Sequence, residues 1–345
     1  MVSVVHSEDP AKRAVAIWLL ACCALVFAMV VVGGITRLTH SGLSIVEWQP
    51  IVGALPPLND AQWEEAFAKY RESPEFRARN FDMTVEAFKG IFWWEYIHRL
   101  LGRLIGVAFL LPFLYFLARK RVQGPLAWKL AAIFALGGLQ GAMGWYMVKS
   151  GLVDDPRVSQ FRLAAHLGLA FLIYGAMLWV ALGLIRGNRP GEAKAPGRLA
   201  LFFPALVFVT VLAGALVAGI RAGYAYNTFP LMNGHVVPPE IFMVEPWWKN
   251  FGYNMATVQF DHRMLAWGVL AMAIVAWGRS RGREVLPAVR SWSNALGVAV
   301  GLQFALGVAT VLSVVHILPA ALHQAGSVIV FTCAIGLAHA ATREA

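Results

Sequence analysis

Glu95-Tyr-Ile-His98-Arg99-Leu-Leu-Gly102 lies near the start of an apolar run that continues to Leu117. That run exceeds the roughly 18 residues needed to cross a bilayer, so it reads as a membrane-spanning helix. An acid, a histidine and an arginine inside it are costly, and such groups face a bundle interior or a functional cavity. The pattern occurs a second time, as Gln259-Phe-Asp-His262-Arg263-Met-Leu-Ala266.

The rest of the chain extends this reading. Of its 345 residues, 59% are hydrophobic and 14% charged, against roughly 25% charged in soluble domains. Apolar runs bounded by charge, proline or glycine fall near 14–35, 91–117, 127–148, 162–185, 199–220, 257–278, 294–315 and 320–341. The expected class is an all-α polytopic membrane protein with eight transmembrane helices. The net charge of +10 does not point to nucleic acid, because the basic residues sit in short loops between apolar runs. Lys12 and Arg13, then Arg119, Lys120, Arg121 and Lys129, then Arg186, Arg189, Lys194 and Arg198, then Arg279, Arg281, Arg283 and Arg290 all fall on one side. The positive-inside rule makes that side, and both termini, cytoplasmic.

The tail from Met1 to Arg13 is too short for a mitochondrial transit peptide, and no small-residue cleavage site follows the first apolar run. A bacterial inner (plasma) membrane is the expected location. Cys22, Cys23 and Cys333 all lie within apolar runs, which excludes a loop disulfide and favours packing. Two long segments, 36–90 and 221–256, remain on the outer side and are expected to cap something. Within the first, Asp60-Ala-Gln-Trp63-Glu-Glu-Ala-Phe67 reads as an interfacial helix lying along the membrane surface.

The recurring histidine string is one of several. Leu139-Gln-Gly-Ala-Met-Gly144 aligns with Leu302-Gln-Phe-Ala-Leu-Gly307, and Ala165-His166-Leu-Gly168 with Leu322-His323-Gln-Ala325. An even number of spans per unit gives both units one orientation. The expected architecture is two tandem four-helix bundles, residues 1–190 and 191–345, related by a pseudo-two-fold axis along the membrane normal.

Four of the nine histidines occupy equivalent repeat positions: His98, His166, His262 and His323. All begin spans that run from outside to inside, with His98 about 6–8 Å below the boundary marked by Trp93 and Trp94. A single such histidine is as readily a neutral residue bonded to another helix. Four at one depth, two per bundle, point to ligation, and two imidazoles on separate helices suit the axial positions of a haem iron. Four residues after each stands a small side chain, Gly102, Ala170, Ala266 or Ser327, on the same face. Small-residue helix packing accounts for these equally simply.

Arg99 and Arg263 are candidates to hold haem propionates. For Arg103, propionate binding and snorkelling to the headgroups carry equal weight. Glu95 stands three residues before His98, where the other half has Gln259. Glutamate can titrate and glutamine cannot, so the asymmetry assigns chemistry to the N-terminal haem and a fixed cofactor to the C-terminal one. A salt bridge from Glu95 to Arg99 is the plainer account of the acid. His40, His235, His316 and His339 lack repeat partners and receive no role.

Beyond these residues, longer strings resemble the haem A synthase family, in the long form of proteobacteria and mitochondria, over nearly the whole chain. They include Gly33-Gly-Ile-Thr-Arg-Leu-Thr-His-Ser-Gly-Leu-Ser44, Val46-Glu-Trp-Gln-Pro50, Gly53-Ala-Leu-Pro-Pro57, Gly144-Trp-Tyr-Met-Val-Lys-Ser-Gly151, Arg162-Leu-Ala-Ala-His166 and Tyr226-Asn-Thr-Phe-Pro-Leu-Met-Asn-Gly234.

The resemblance implies that residues 1–190 hold the substrate, haem O, between His98 and His166. Residues 191–345 would hold haem b through His262 and His323, and the family's important acid would be Glu95. It implies a monooxygenase-like oxidation of the C8 methyl of haem O to a formyl group, giving haem A for cytochrome oxidase. Two hydroxylations followed by loss of water describe that conversion. The paired outer-loop cysteines of some members have no counterpart here.

Implied partners are membrane lipid, the haem O substrate and an electron donor that the sequence does not identify. Haem O synthase and cytochrome oxidase assembly factors are candidates, and a homo-oligomer is left open. The haem sites are expected toward the periplasmic side. Two rival readings are an electron-transfer cytochrome b and a haem transporter or chaperone.

Overall fold

The computed structural model describes residues 9–48, 52–152, 158–186 and 198–342. Arg189 and Lys194, used above for orientation, lie outside the described residues. Among those described, the regular elements are helices: α1 (Pro10–Leu38), α2 (Asp60–Arg71), α3 (Pro74–Arg79), α4 (Val85–Ala118), α5 (Gly124–Gly151), α6 (Gln160–Arg186), α7 (Arg198–Gly219), α8 (Asn250–Tyr253), α9 (Met255–Arg279), α10 (Pro287–Leu312) and α11 (Ile317–Ala341).

Helix starts follow local chemistry. Pro10 stands at the first turn of α1, where its missing N–H costs nothing, and Asp9 Oδ1 accepts the Ala11 N–H at 2.9 Å. Asn254 Oδ1 accepts the N–H groups of Ala256 and Thr257 at the start of α9. Thr84 caps α4 at Ala87, which starts that helix at Val85, ahead of the position expected from hydropathy. The added turns carry Phe88, a buried aromatic that hydropathy alone does not assign to a span.

Seven helices, α1, α4, α5, α6, α7, α10 and α11, are long and apolar enough to cross a membrane. The eighth expected segment, 257–278, is indeed one continuous helix, α9, of 25 residues. It is not among the seven by composition, and its outer turns carry Gln259, Asp261, His262 and Arg263.

Neighbour relations repeat along the chain. Helix α1 packs on α4 and α6, with α5 against both; α7 packs on α9 and α11, with α10 against both. Contacts α6 to α7, α1 to α11 and α6 to α11 join the two groups. Apolar side chains fill the space between them, including Leu19 and Cys22 on α1, Phe171 and Met177 on α6, Phe203 on α7 and Leu337 on α11. All three cysteines are free and buried there, consistent with their expected packing role.

The segment expected as an interfacial helix is α2, but its apolar stripe does not face lipid. Trp63, Phe67 and Tyr70 are buried in a cluster with Phe88, Phe92 and Tyr96 of α4. Trp63 meets Phe92 edge-on at 4.9 Å and Tyr70 stacks on Phe88 at 5.1 Å. An amphipathic pattern records only that one face is buried. The aromatic extension of α4 supplies the covering surface, and aromatic pairing adds to it.

Candidate functional site

Each of the four repeat histidines sits half-buried against a glycine of the long helix before its own. A Cβ on Gly33 of α1 would lie 3.1 Å from His98 Nε2, and one on Gly144 of α5 would lie 3.2 Å from His166 Cε1. In the other half the distances are 3.0 Å from Gly214 of α7 to His262 Cε1 and 2.9 Å from Gly307 of α10 to His323 Cε1. These are closer than an ordinary side chain tolerates, so glycine lets each imidazole stand flush against the adjacent helix. The four glycines form a set that the spacing of the histidines does not reveal. Its signal was present, because Gly144 and Gly307 end the aligned strings.

A second repeated feature orients the rings. Gln140 Nε2 donates to the main-chain oxygen of His166 at 3.1 Å, and Gln303 Nε2 to that of His323 at 2.8 Å. In the C-terminal half, His262 Nδ1 lies 3.1 Å from Thr210 O and His323 Nδ1 lies 3.1 Å from Gln303 O. A carbonyl oxygen can only accept, so Nδ1 carries the proton and Nε2 keeps the lone pair for a metal. The His166 ring differs: its Nδ1 is buried without a partner, while Nε2 is 3.3 Å from Gln140 Nε2.

The geometry fits a bis-imidazole iron. With metal–nitrogen bonds of about 2.0 Å and about 1.1 Å from nitrogen to ring centre, coaxial ligands have centroids roughly 6 Å apart. His262 and His323 have centroids 6.4 Å apart and planes at 86°. Two facing imidazoles are a donor set that suits a macrocycle supplying its own equatorial ligands. His98 and His166 lie within electrostatic range of each other.

The acid and the two arginines belong to clamps on the two long loops. Glu95 is 2% exposed. Its Oε1 accepts from Arg99 Nε and Nη2 at 3.0 and 2.6 Å, and its Oε2 accepts from Ser44 Oγ and the Ile45 N–H, both at 2.8 Å. Arg99 also donates to the main-chain oxygens of Ile45 and Glu47, and its guanidinium lies over Trp48.

The second half repeats this with one change. Arg263 donates to the main-chain oxygens of Tyr226 and Thr228 and to Gln259 Oε1, while Gln259 Nε2 donates to Ala222 O at 2.9 Å. Both long segments, 36–90 and 221–256, are thus tied to the helix turns that carry His98 and His262. The arginine forks are largely occupied by main-chain oxygens. Arg263 Nε stays buried without an acceptor.

The other described histidines have local surroundings. His316 Nδ1 caps α11 at Leu318, His339 lies edge-on to Trp179 at 4.9 Å, and His235 pairs through its main chain with Met232. His40 lies between arginines of both outer segments.

One further acid is buried outside the spans. Glu75 of α3 is 4% exposed, and burial pushes its carboxyl up to about 7, against the opposing charges of Arg79 and Arg221 and with that of Glu95. The folded state thus holds this proton more tightly than the unfolded chain. Stability falls as pH rises from about 4.5 to about 7 and is flat below that window. Glu75→Gln is expected to remove that dependence. At pH 8 the variant should gain on the order of 2 kcal/mol over the parent, and at pH 4 almost nothing. Thermal melts of the solubilised protein, followed by circular dichroism at both pH values, measure it.

Comparison with known proteins now bears on this geometry. Residues 16–335 match COX15-CtaA, described as cytochrome oxidase assembly protein. The chain belongs to the COX15-CtaA family. It is 56% identical over 337 residues to a protein of Nitrosospira multiformis named "Heme A synthase", covering 96% of this chain and 95% of that one. Proteins with the same name from Nitrosomonas eutropha and Parvibaculum lavamentivorans are 53% and 46% identical. The alignments cover 93% and 98% of this chain, and 92% and 97% of theirs.

Proposed function

We propose that this chain is a haem A synthase, a membrane oxidoreductase that converts the C8 methyl of haem O to the formyl group of haem A for cytochrome oxidase. The observation that carries the reading is the inequality of two otherwise matching histidine sites. Each has a histidine pair, pocket glycines and an arginine clamp, but only the N-terminal one has a buried carboxylate, Glu95, where the other has Gln259. Names and near full-length coverage of the relatives support it.

In this reading His98 and His166 flank the substrate haem iron, and His262 and His323 hold the haem b iron. Haem b, when bound, supplies one-electron redox chemistry. The protein's own part is positional and electrostatic. Thr210 and Gln303 main-chain oxygens fix the tautomer of the C-terminal pair. In the N-terminal half, Arg99 holds Glu95 Oε1 and leaves Oε2, beside Ser44 Oγ, as the oxygen that takes a proton during methyl oxidation. Until it takes that proton, the negative charge of the carboxylate stabilises cationic character developing nearby. Arg99 and Arg263 fasten the outer caps over the pockets, and Arg263 Nε is a donor available to a propionate.

Helix α9 completes eight spans, since it packs between α7 and α10 and its polar turns face the pocket. The recurring neighbour relations support two four-helix halves, 1–190 and 191–345, about a pseudo-two-fold axis along the membrane normal. The basic loops put both termini in the cytoplasm and the histidine ends toward the periplasm of a bacterial inner membrane. A separate electron donor completes the reaction.

Haem analysis of protein purified from cells that make haem O tests the assignment. The expected content is haem b together with haem O or haem A. Two equivalents of haem b alone, with haem A production unchanged on deletion, would identify an electron-transfer cytochrome instead.

A further inference from the structure

The two halves are also unequal along one side. In the C-terminal half, three aromatic rings from separate segments meet between α9 and α10. Trp267 of α9 and Phe304 of α10 pack edge-on with centroids 4.6 Å apart. Phe229, from the long segment 221–256, stacks on Trp267 at 6.3 Å and meets Phe304 edge-on at 6.0 Å. Each ring is tied to part of the histidine site. Phe304 follows Gln303, whose amide and main-chain oxygen hold His323. It also stands one turn from Gly307, the glycine against the His323 ring. Trp267 lies one turn beyond Arg263, and Phe229 follows Thr228, whose oxygen accepts from Arg263. Trp267 is 44% exposed, so the cluster reaches the surface of the bundle.

The matching positions of the N-terminal half carry Trp48, Arg103 and Gly141. Gly141 follows Gln140 as Phe304 follows Gln303, and Arg103 stands to Arg99 as Trp267 does to Arg263. Trp48 follows Glu47, a main-chain acceptor of Arg99, and lies under the Arg99 guanidinium at 5.4 Å. A Cβ on Gly141 would meet no neighbouring atom within 4 Å, nor would one on Gly137, a turn earlier. The counterpart of Gly137 is Val300, which is buried. What Val300 and Phe304 fill in one half is therefore open space beside α5 in the other.

We propose that Phe229, Trp267 and Phe304 form a side wall that makes the C-terminal haem a permanent resident. The matching side of the N-terminal half, open at Gly141, passes a porphyrin with a long apolar tail to and from the bilayer. The proposal rests on the haem reading above. An enzyme whose substrate and product are both haems needs one site that keeps its porphyrin and one that releases it. Packed rings beside a pocket act on the rate of departure, because they must part before the macrocycle can leave. An open side also lets an isoprenoid tail remain in lipid, where burial from water favours it.

The test mixes full-length holoprotein, purified from cells that make haem O, with excess apomyoglobin and resolves the transferred haems by chromatography. The parent is expected to give up haem O and haem A about ten-fold or more faster than haem b. Phe304→Ala and Trp267→Ala should each speed loss of haem b by about ten-fold and leave loss of haem O and haem A within about two-fold. Gly141→Phe, the reciprocal change, should cut the haem O and haem A recovered with the protein to about a fifth or less, with haem b unchanged. Gly141→Ala should match the parent, since its Cβ enters open space. Parental haem b loss from both wall variants overturns the proposal, as does equal acceleration of every haem, which marks general loosening. Normal haem O and haem A content in Gly141→Phe also overturns it, as does an equal deficit in Gly141→Ala, which marks a backbone effect. All these results leave the haem reading intact. A parent protein free of haem, or holding two equivalents of haem b alone, overturns that reading itself.

Discussion

Replacing Glu95 with alanine is expected to lower haem A formation by about 100-fold or more while haem b remains bound, since a positioned acid–base group contributes about 10²–10⁴-fold. The alanine variant also leaves Arg99 buried beside a vacated partner, and breaking a buried pair in this way costs about 3–5 kcal/mol. Glu95→Gln separates the two effects. The Gln259–Arg263 contact already demonstrates that an amide oxygen can accept from the arginine at this spacing. In the glutamine variant the amide nitrogen would face the Ile45 N–H, which loses its acceptor, while the Ser44 hydroxyl can turn to accept. That costs about 1–3 kcal/mol and leaves the clamp largely in place. Haem composition of purified variants, with haem A quantified by chromatography, gives both quantities. Normal turnover by Glu95→Gln would end the proton-handling role.

The second large effect concerns the cofactor half. His262→Ala or His323→Ala is expected to deplete haem b by about ten-fold or more, because one axial bond and its oriented lone pair are lost. Gly307→Val should do the same without touching a ligand. Even the first carbon of its side chain would come within 2.9 Å of His323 Cε1, forcing the ring from its place. His98→Ala is expected to spare haem b and remove bound substrate haem. Reduced-minus-oxidised spectra of the purified proteins distinguish these outcomes. Loss of haem b from His98→Ala alone would exchange the roles of the two halves.

Part of this was legible in one dimension. Apolar runs located the long helices because a bilayer requires about 20 apolar residues per helix. The repeated histidine strings align His98 with His262 and His166 with His323, and each of the four stands against a glycine of another long helix. Glu95 stood out only by comparison with Gln259. The α2 stripe was legible as a buried face but not as to its cover, since the apolar pattern is the same for lipid and for Phe88 and Phe92.

The pocket glycines show where linear reading ends. Gly33, Gly144, Gly214 and Gly307 are each distant in sequence from the histidine they admit or lie on a different helix from it, and no periodicity within one helix reports on that approach. The arginines show the same limit. Sequence placed Arg99 and Arg263 beside the histidines. Only the fold brought the oxygens of Ile45, Glu47, Tyr226 and Thr228 to their forks.

The places of the long apolar helices and the recurrence of the histidine strings were thus legible in composition and spacing, which act along the chain. Which donors are taken, which rings are held, and that His40 meets Arg79 and Arg221 were decided by tertiary packing, because hydrogen bonds and charge act through space.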